Sequence, residues 1–296
     1  MLTKNVKNLD PISRFRYWII ERHKIYLKKE AGEKKPWTDD TILQNYRFTN
    51  PYRENDKTTV WFRDNIRGPM KDDVKVVFAT ICFRWFNLIR TGEVLKDTGL
   101  LEDWDTLHAR TILKKLNGSG PIFTGAFMIQ SPGGKTKLES ITYRIGKVWE
   151  DRHRLTRAAR QWKTLQQAHI DLLGYDGLGG FMAYEIVTDL RHTIALRAAT
   201  DKMDWSNPGP GCIRGLYWME GAPPPGKNNS SSPPRPKNWH SNMKDLLEIS
   251  NDFLLEENMP QFEMHEVEMV LCEFDKYNRL LFETGRSKRL YQGAIG

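Results

Sequence analysis

Cysteine is scarce: Cys82, Cys212 and Cys272 are odd in number and far apart in the chain. They supply neither a disulfide framework nor a CxxC metal pair, and each reads as a small buried apolar residue. Long apolar runs are missing as well. The most apolar stretch, residues 74–89, is broken by Lys75 and Arg84. The roughly 20 uncharged residues that a bilayer span needs occur nowhere, which excludes a membrane-spanning protein. The opening MLTKNVKNLD lacks the apolar core of a secretory signal, so a reducing interior, the cytoplasm, is expected. Convincing alternation over four or more residues is absent too, which argues against strands. No HExxH, zinc cluster, GxSxG or GxGxxG is present and the seven histidines are scattered, so neither metal nor cofactor is expected. Ser131-Pro-Gly-Gly-Lys-Thr136 comes near a phosphate loop, but the Walker spacing requires glycine where Ile129 stands. That excludes an NTPase site and leaves contact of Gly133, Gly134 and Lys135 with a substrate phosphate open.

What the chain has in quantity is aromatic and basic residues. Its 296 residues are 39% hydrophobic and include 13 Phe, 10 Trp and 10 Tyr, too rich a composition for a disordered chain. Forty-five Lys and Arg against 37 Asp and Glu give a net charge of +8, which favours a polyanionic partner, nucleic acid first. Helical spacing of apolar residues predicts helices over 11–30, 72–90, 104–116, 239–255 and 263–277 and a long basic helix over 141–168. Thr38 or Asp39 is placed to cap a helix carrying Ile42, Leu43 and Tyr46, and Asn50-Pro51 to start another. The fold class expected is all-α, a single helical unit with possible lobes at 1–130 and 131–296. Residues 221–237, six of them proline, read as a flexible loop. Gly285-Arg-Ser-Lys-Arg289 reads as a basic helix tip rather than a targeting signal.

The most informative segment is Leu172-Leu-Gly-Tyr-Asp-Gly-Leu-Gly-Gly-Phe-Met-Ala183. A helix ends on Leu173, a glycine hairpin follows, and a second helix runs from about Gly180 to Leu190. Gly177 and Gly179 permit positive φ, and with Gly180 they leave amide donors at a helix start, a natural anion site. This resembles the helix–hairpin–helix of DNA-binding and DNA-repair proteins, in which hairpin amides hold one phosphate without reading sequence. A plain glycine stop between two core helices fits the residues as well. Downstream lies a dense loop from Thr200 to Leu216, with Asp201, Lys202, Asp204, Trp205, Asn207 and Arg214. Helix–hairpin–helix glycosylases place a catalytic Asp about this far beyond the hairpin, and Asp201 sits 22 residues after Gly179, with Asp204 as the alternate. Phe181 occupies the place of the Schiff-base lysine of bifunctional glycosylases, which argues against lyase chemistry.

Phe15-Arg-Tyr-Trp-Ile-Ile-Glu-Arg-His23, Lys35-Pro-Trp-Thr-Asp-Asp40, Phe48-Thr-Asn-Pro-Tyr-Arg53 and Asp56 resemble the helical domain family of phage 5-hydroxymethyl-deoxyuridine (5-hmdU) DNA kinases. With the hairpin and the Asp201 loop they also resemble the α-glutamyl/putrescinyl thymine pyrophosphorylases. Those are amino acid:DNA transferases, regarded as helical and glycosylase-like. The resemblance covers nearly the whole chain outside 221–237. It implies transfer of an amino acid or polyamine amine onto 5-(pyrophosphoryloxymethyl)uracil in double-stranded DNA, after an upstream 5-hmdU DNA kinase and inside a phage-infected cell. On that reading Asp201 or Asp204 is the base, Arg53, Lys202 and Arg214 face the pyrophosphate, and Trp37 or Trp205 stacks at the extruded base. Asp39, Asp56 and Asn207 complete the expected substrate contacts, and Gly177, Gly179 and Gly180 the DNA contact. A glycosylase for a modified base and a non-catalytic DNA-binding module serving a kinase are the alternatives.

Overall fold

The structure, a computed structural model, describes residues 2–125, 136–225 and 233–285. Gly133, Gly134 and Lys135, residues 226–232 of the proline-rich stretch and residues 286–289 lie outside the described residues. Among the described residues every regular element is helical. The first are α1 (Leu2–Lys7), α2 (Pro11–Glu30), α3 (Thr41–Asn45), a 3₁₀ turn (Arg53–Asn55), α4 (Lys57–Phe62), a π segment (Arg63–Arg67) and α5 (Gly68–Met70). Then come α6 (Val76–Phe86), α7 (Ile89–Asp97), α8 (Thr106–Asn117), α9 (Lys137–Glu150), α10 (Arg152–Ala159), α11 (Leu165–Leu173) and α12 (Gly180–Leu190). The last three are α13 (Pro210–Met219), α14 (Trp239–Glu256) and α15 (Met264–Leu281). No described helix is long and apolar enough to cross a membrane.

The chain divides into two compact units, though not at residue 130. Unit 1 joins the residues up to Asp56 with those from Ser206 onward, and unit 2 is Lys57–Trp205. Unit 1 is built from both ends of the chain because α2 and α15 share a core. Asp10 caps α2 through Ser13 N at 3.0 Å and Pro11 occupies its first turn, where no amide is needed. Phe15, Trp18, Ile19 and Ile25 then fall on one buried face, and Phe15 meets Phe274 of α15 edge-on at 5.2 Å. Helices α13 and α15 pack backbone to backbone. A Cβ on Gly215 would stand 2.3 Å from Leu271 O, and Cys272 Sγ fills the space that a Cβ on Gly211 would need. Cys82 and Cys212 are buried as expected; Cys272 is exposed as a residue but turns its sulfur in against Gly211, and desolvation pushes all three thiols up. The cap of α3 is neither Thr38 nor Asp39. It is Asp40, whose Oδ1 accepts from Ile42 N at 2.8 Å and Leu43 N at 3.2 Å, while its Oδ2 accepts from the Tyr17 and Tyr277 hydroxyls at 3.1 and 2.5 Å.

Unit 2 is centred on α6, every residue of which is buried. The helix expected over 72–90 is shorter because Asn87 turns left-handed at φ 46° and ψ 45°, closing α6 before α7 begins. Helices α9, α10 and α12 pack on α6, and α11 packs on α12. The long basic helix expected over 141–168 is three helices. The first break lies at Asp151 and the second at 160–164, where Thr164 opens α11 by accepting from Gln167 N. Inside this core, Asp189 of α12 receives both Nε and Nη2 of Arg84, the latter at 2.8 Å, and Arg67 Nη1 lies 4.0 Å away. The Arg84 guanidinium also stacks on the Phe62 ring, 5.2 Å from its centroid, and donates to Asn87 Oδ1 at 2.7 Å.

Candidate functional site

In unit 2 the hairpin between α11 and α12 is braced from α9 and α10. Gly177 holds φ at +81°, and the Arg144 side chain lies where its Cβ would stand. Arg144 Nε pairs with Asp176 at 3.0 Å, and Tyr175 donates its hydroxyl to Asp151 Oδ2 at 2.8 Å. Positive φ is confined to Gly177. Gly179 is extended, φ −68° and ψ 173°, and opens α12 as its N-cap with no side-chain bond. Gly180 offers its carbonyl to His169 Nε2 at 3.0 Å, and burial of that imidazole favours its neutral form. Ahead of α11, at its end away from the hairpin, Arg157, Arg160 and Lys163 are spaced three apart and exposed. Among the described residues no carboxylate pairs with them, unlike Lys147 with Glu150 and Arg154 with Asp151.

The Asp201 loop is the prop of this hairpin. Asp201 Oδ1 accepts from Leu165 N at 2.7 Å and Oδ2 from Gln166 N at 3.0 Å, so each carboxylate oxygen caps the start of α11. Asp201 is expected from the sequence as the carboxylate base; its geometry here is that of a helix cap. Lys202 Nζ is turned to Arg197 O at 2.9 Å. Trp205 packs its ring against His169 and Tyr184, with centroids 5.3 and 5.6 Å apart. Asp204 is exposed, and its backbone N–H closes the turn on Asp201 O at 3.0 Å. These residues therefore act together on the hairpin, from Asp201 through α11 and from Trp205 through His169 to Gly180.

The other expected site residues belong to unit 1, with Asn207 and Arg214 in the part of the loop that unit 1 takes. Arg214 Nε pairs with buried Asp275 at 2.9 Å, and the same carboxylate accepts from Arg279 and the Trp218 indole. Asn207 is half-buried and Asp39 is exposed beside buried Asp40. Trp37 is half-buried against the core and walls a pocket of about 260 Å³. Asn50, Arg53 and Asp56 come together: Asp56 Oδ1 accepts from Asn50 N at 3.2 Å and Asn50 Nδ2 at 3.0 Å, and Arg53 is buried. Arg53 is thus buried and Asp56 half-buried and bonded to Asn50, rather than a surface pair on a helix. Asp40 with Tyr17 and Tyr277, and Arg84 with Asp189, were not expected from the sequence. For the second pair the signal was an arginine inside the most apolar helix.

Desolvation pushes the Asp56 carboxyl up to about 6 against the pull of Asn50, Arg53 and Arg22. Because the folded value lies above the unfolded one, the native state holds an extra proton between about pH 4 and pH 6, and stability falls as pH rises through that window. Asp56→Asn keeps an oxygen for the Asn50 donors and removes the charge. It is expected to flatten that fall and to gain on the order of 2 kcal/mol over the wild type at pH 7. Thermal melts of both proteins at pH 4, 5, 6 and 7 check this; parallel pH profiles would remove Asp56 as the source.

A family model described as the helical domain of 5-hmdU DNA kinase matches residues 10–287. The chain belongs to this family. It is also similar to a 5-hmdU DNA kinase of Bacillus phage SP10, 25% identical over 224 residues, which is 68% of this chain and 35% of that protein. The chain thus spans about a third of the length of the curated relative it matches. No solved structure matches it. Among the described residues no group of three or more His, Cys, Asp and Glu is arranged to hold a metal ion.

Proposed function

We propose that this chain acts in thymine hypermodification, binding DNA that carries a 5-substituted uracil and transferring an amine onto the activated base. The observation that carries the reading is the family match over nearly the whole chain. The hairpin supports DNA as the substrate. It is a braced turn opening a helix, and backbone amides at such a start suit phosphates rather than base edges. In the transfer, the amine nitrogen attacks the exocyclic methylene of 5-(pyrophosphoryloxymethyl)uracil. A C–N bond forms, the C–O bond breaks, pyrophosphate leaves with the electron pair, and a carboxylate takes the amine proton. The candidate bases are Asp201, whose oxygens also cap α11, Asp204, exposed on the same turn, and Asp56, whose carboxyl burial pushes up to about 6.

Incubation with 5-(pyrophosphoryloxymethyl)uracil DNA and candidate amines, followed by nucleoside mass spectrometry, is expected to show an amine adduct. Asp204→Asn or Asp56→Asn is expected to lower its yield at least 100-fold, an order of magnitude typical of lost acid–base catalysis. Full yield in both variants removes them from the reaction. Free base and abasic sites in place of an adduct would make the chain a glycosylase. A second reading is favoured by the one-third coverage of the kinase relative: a module that holds DNA for a catalytic partner. It predicts duplex binding with no product in the same assay.

A further inference from the structure

We infer that the pocket beside Trp37 in unit 1 is a binding site for a single pyrimidine nucleotide. Its volume, about 260 Å³, lies just below the roughly 300–1,000 Å³ of pockets for drug-sized ligands, so it admits one small ring and its substituents. Its aromatic wall is fixed in advance. The Trp37 indole N–H donates to Glu33 O at 2.7 Å, and Lys28 Nζ donates to Trp37 O at 3.0 Å, which pins the residue at both ends. Pro36 and Leu43 add apolar surface. A planar ligand laid on Trp37 therefore pays little ordering entropy on the protein side.

The polar lining selects the kind of ring. Gln44 Nε2 donates to Thr38 O at 2.6 Å, and Asn45 Nδ2 to Thr41 O at 2.8 Å. Each amide keeps a second N–H and its carbonyl oxygen, a donor and an acceptor that match a planar ring bearing N–H and carbonyl groups, such as a uracil. Lys35, whose Nζ lies 5.4 Å from the Trp37 ring centroid, supplies the single positive charge, suited to a ring carbonyl or a phosphate. No acidic side chain is among the described lining residues. An amino acid or polyamine would bring an ammonium group next to Lys35 with no carboxylate to receive it. The pocket thus suits the base side of the proposed reaction rather than the amine side. The choice of a uracil rests on that proposed function; the preference for a neutral, planar ring bearing N–H and carbonyl groups rests on the pocket alone.

The test is calorimetric titration of the full chain with 5-hydroxymethyl-2′-deoxyuridine 5′-monophosphate. Saturable one-to-one binding is expected, at least tenfold weaker in Trp37→Ala, within threefold of wild type in Trp37→Phe, and severalfold weaker in Gln44→Ala. Melting curves check that each variant is folded. Absence of nucleotide binding in the wild type, or equal binding in Trp37→Ala, overturns the inference, as does displacement of the nucleotide by putrescine or glutamate. Duplex binding measured alongside separates the two readings. Duplex bound without nucleotide bound defeats the pocket alone; nucleotide bound without duplex bound leaves the pocket and defeats the reading of DNA as substrate.

Discussion

Asp189→Ala is expected to cost about 3–5 kcal/mol, the typical penalty for removing one partner of a buried ion pair. The carboxylate is fully buried, and Arg84, at 2% exposure, donates to both of its oxygens. Arg67, also buried, approaches the same group. Without Asp189 the Arg84 guanidinium stays inside unit 2, over the Phe62 ring, with its charge uncompensated. Set against the 5–15 kcal/mol that stabilises a typical domain, the loss is expected to lower the melting temperature by roughly 10 °C. The double variant Arg84→Met with Asp189→Leu separates this charge effect from lost packing. It removes both ions while keeping apolar volume, and is expected to recover most of the deficit. Calorimetry on the three proteins decides. A single variant that melts within a degree or two of wild type would show that α6 and α12 are held together by apolar contacts alone.

That pair also marks where the sequence was legible. Helix α2 spans the residues that its periodicity predicts, because an N-cap, a first-turn proline and an apolar face all point to one helix. Helices α11 and α12 fall where the glycines place them, since glycine punctuates the chain locally. The long helices over 72–90 and 141–168 were misread for one reason. Their breaks at Asn87 and Asp151 need no glycine or proline, and polar residues inside an apolar pattern look like the outer face of a continuing helix. The division at 56 and 205 was out of reach because it depends on which distant segments share a core, as Phe15 and Phe274 do. Asp201 shows the same limit at the site. Its distance from the hairpin is read from the chain, but the α11 amides that take both of its oxygens are 35 and 36 residues away.

Replacing Arg157, Arg160 and Lys163 together with alanine is expected to weaken duplex binding most at low salt. These side chains are exposed and tie down nothing in unit 2, so stability is expected to change by no more than about 0.5 kcal/mol per substitution. Each phosphate contact releases counterions and contributes about 0.9 to the slope of log affinity against log salt; loss of three lowers the slope by close to 3. The deficit of the variant should therefore shrink about 40-fold as salt rises from roughly 50 to 200 mM. The loss should be the same for modified and unmodified duplexes of any sequence, because phosphate contacts position the protein without reading bases. Gly177→Ala tests the hairpin itself. Its Cβ would displace Arg144 from 2.7 Å, and its φ of +81° disfavours a side chain, so the hairpin shifts while the three cations remain. That variant should lose affinity with the salt slope changed by no more than one contact. Fluorescence anisotropy at four salt concentrations measures both. An unchanged slope in the triple variant would remove these cations from the DNA surface, and unchanged affinity in Gly177→Ala would leave the hairpin a plain turn between two core helices.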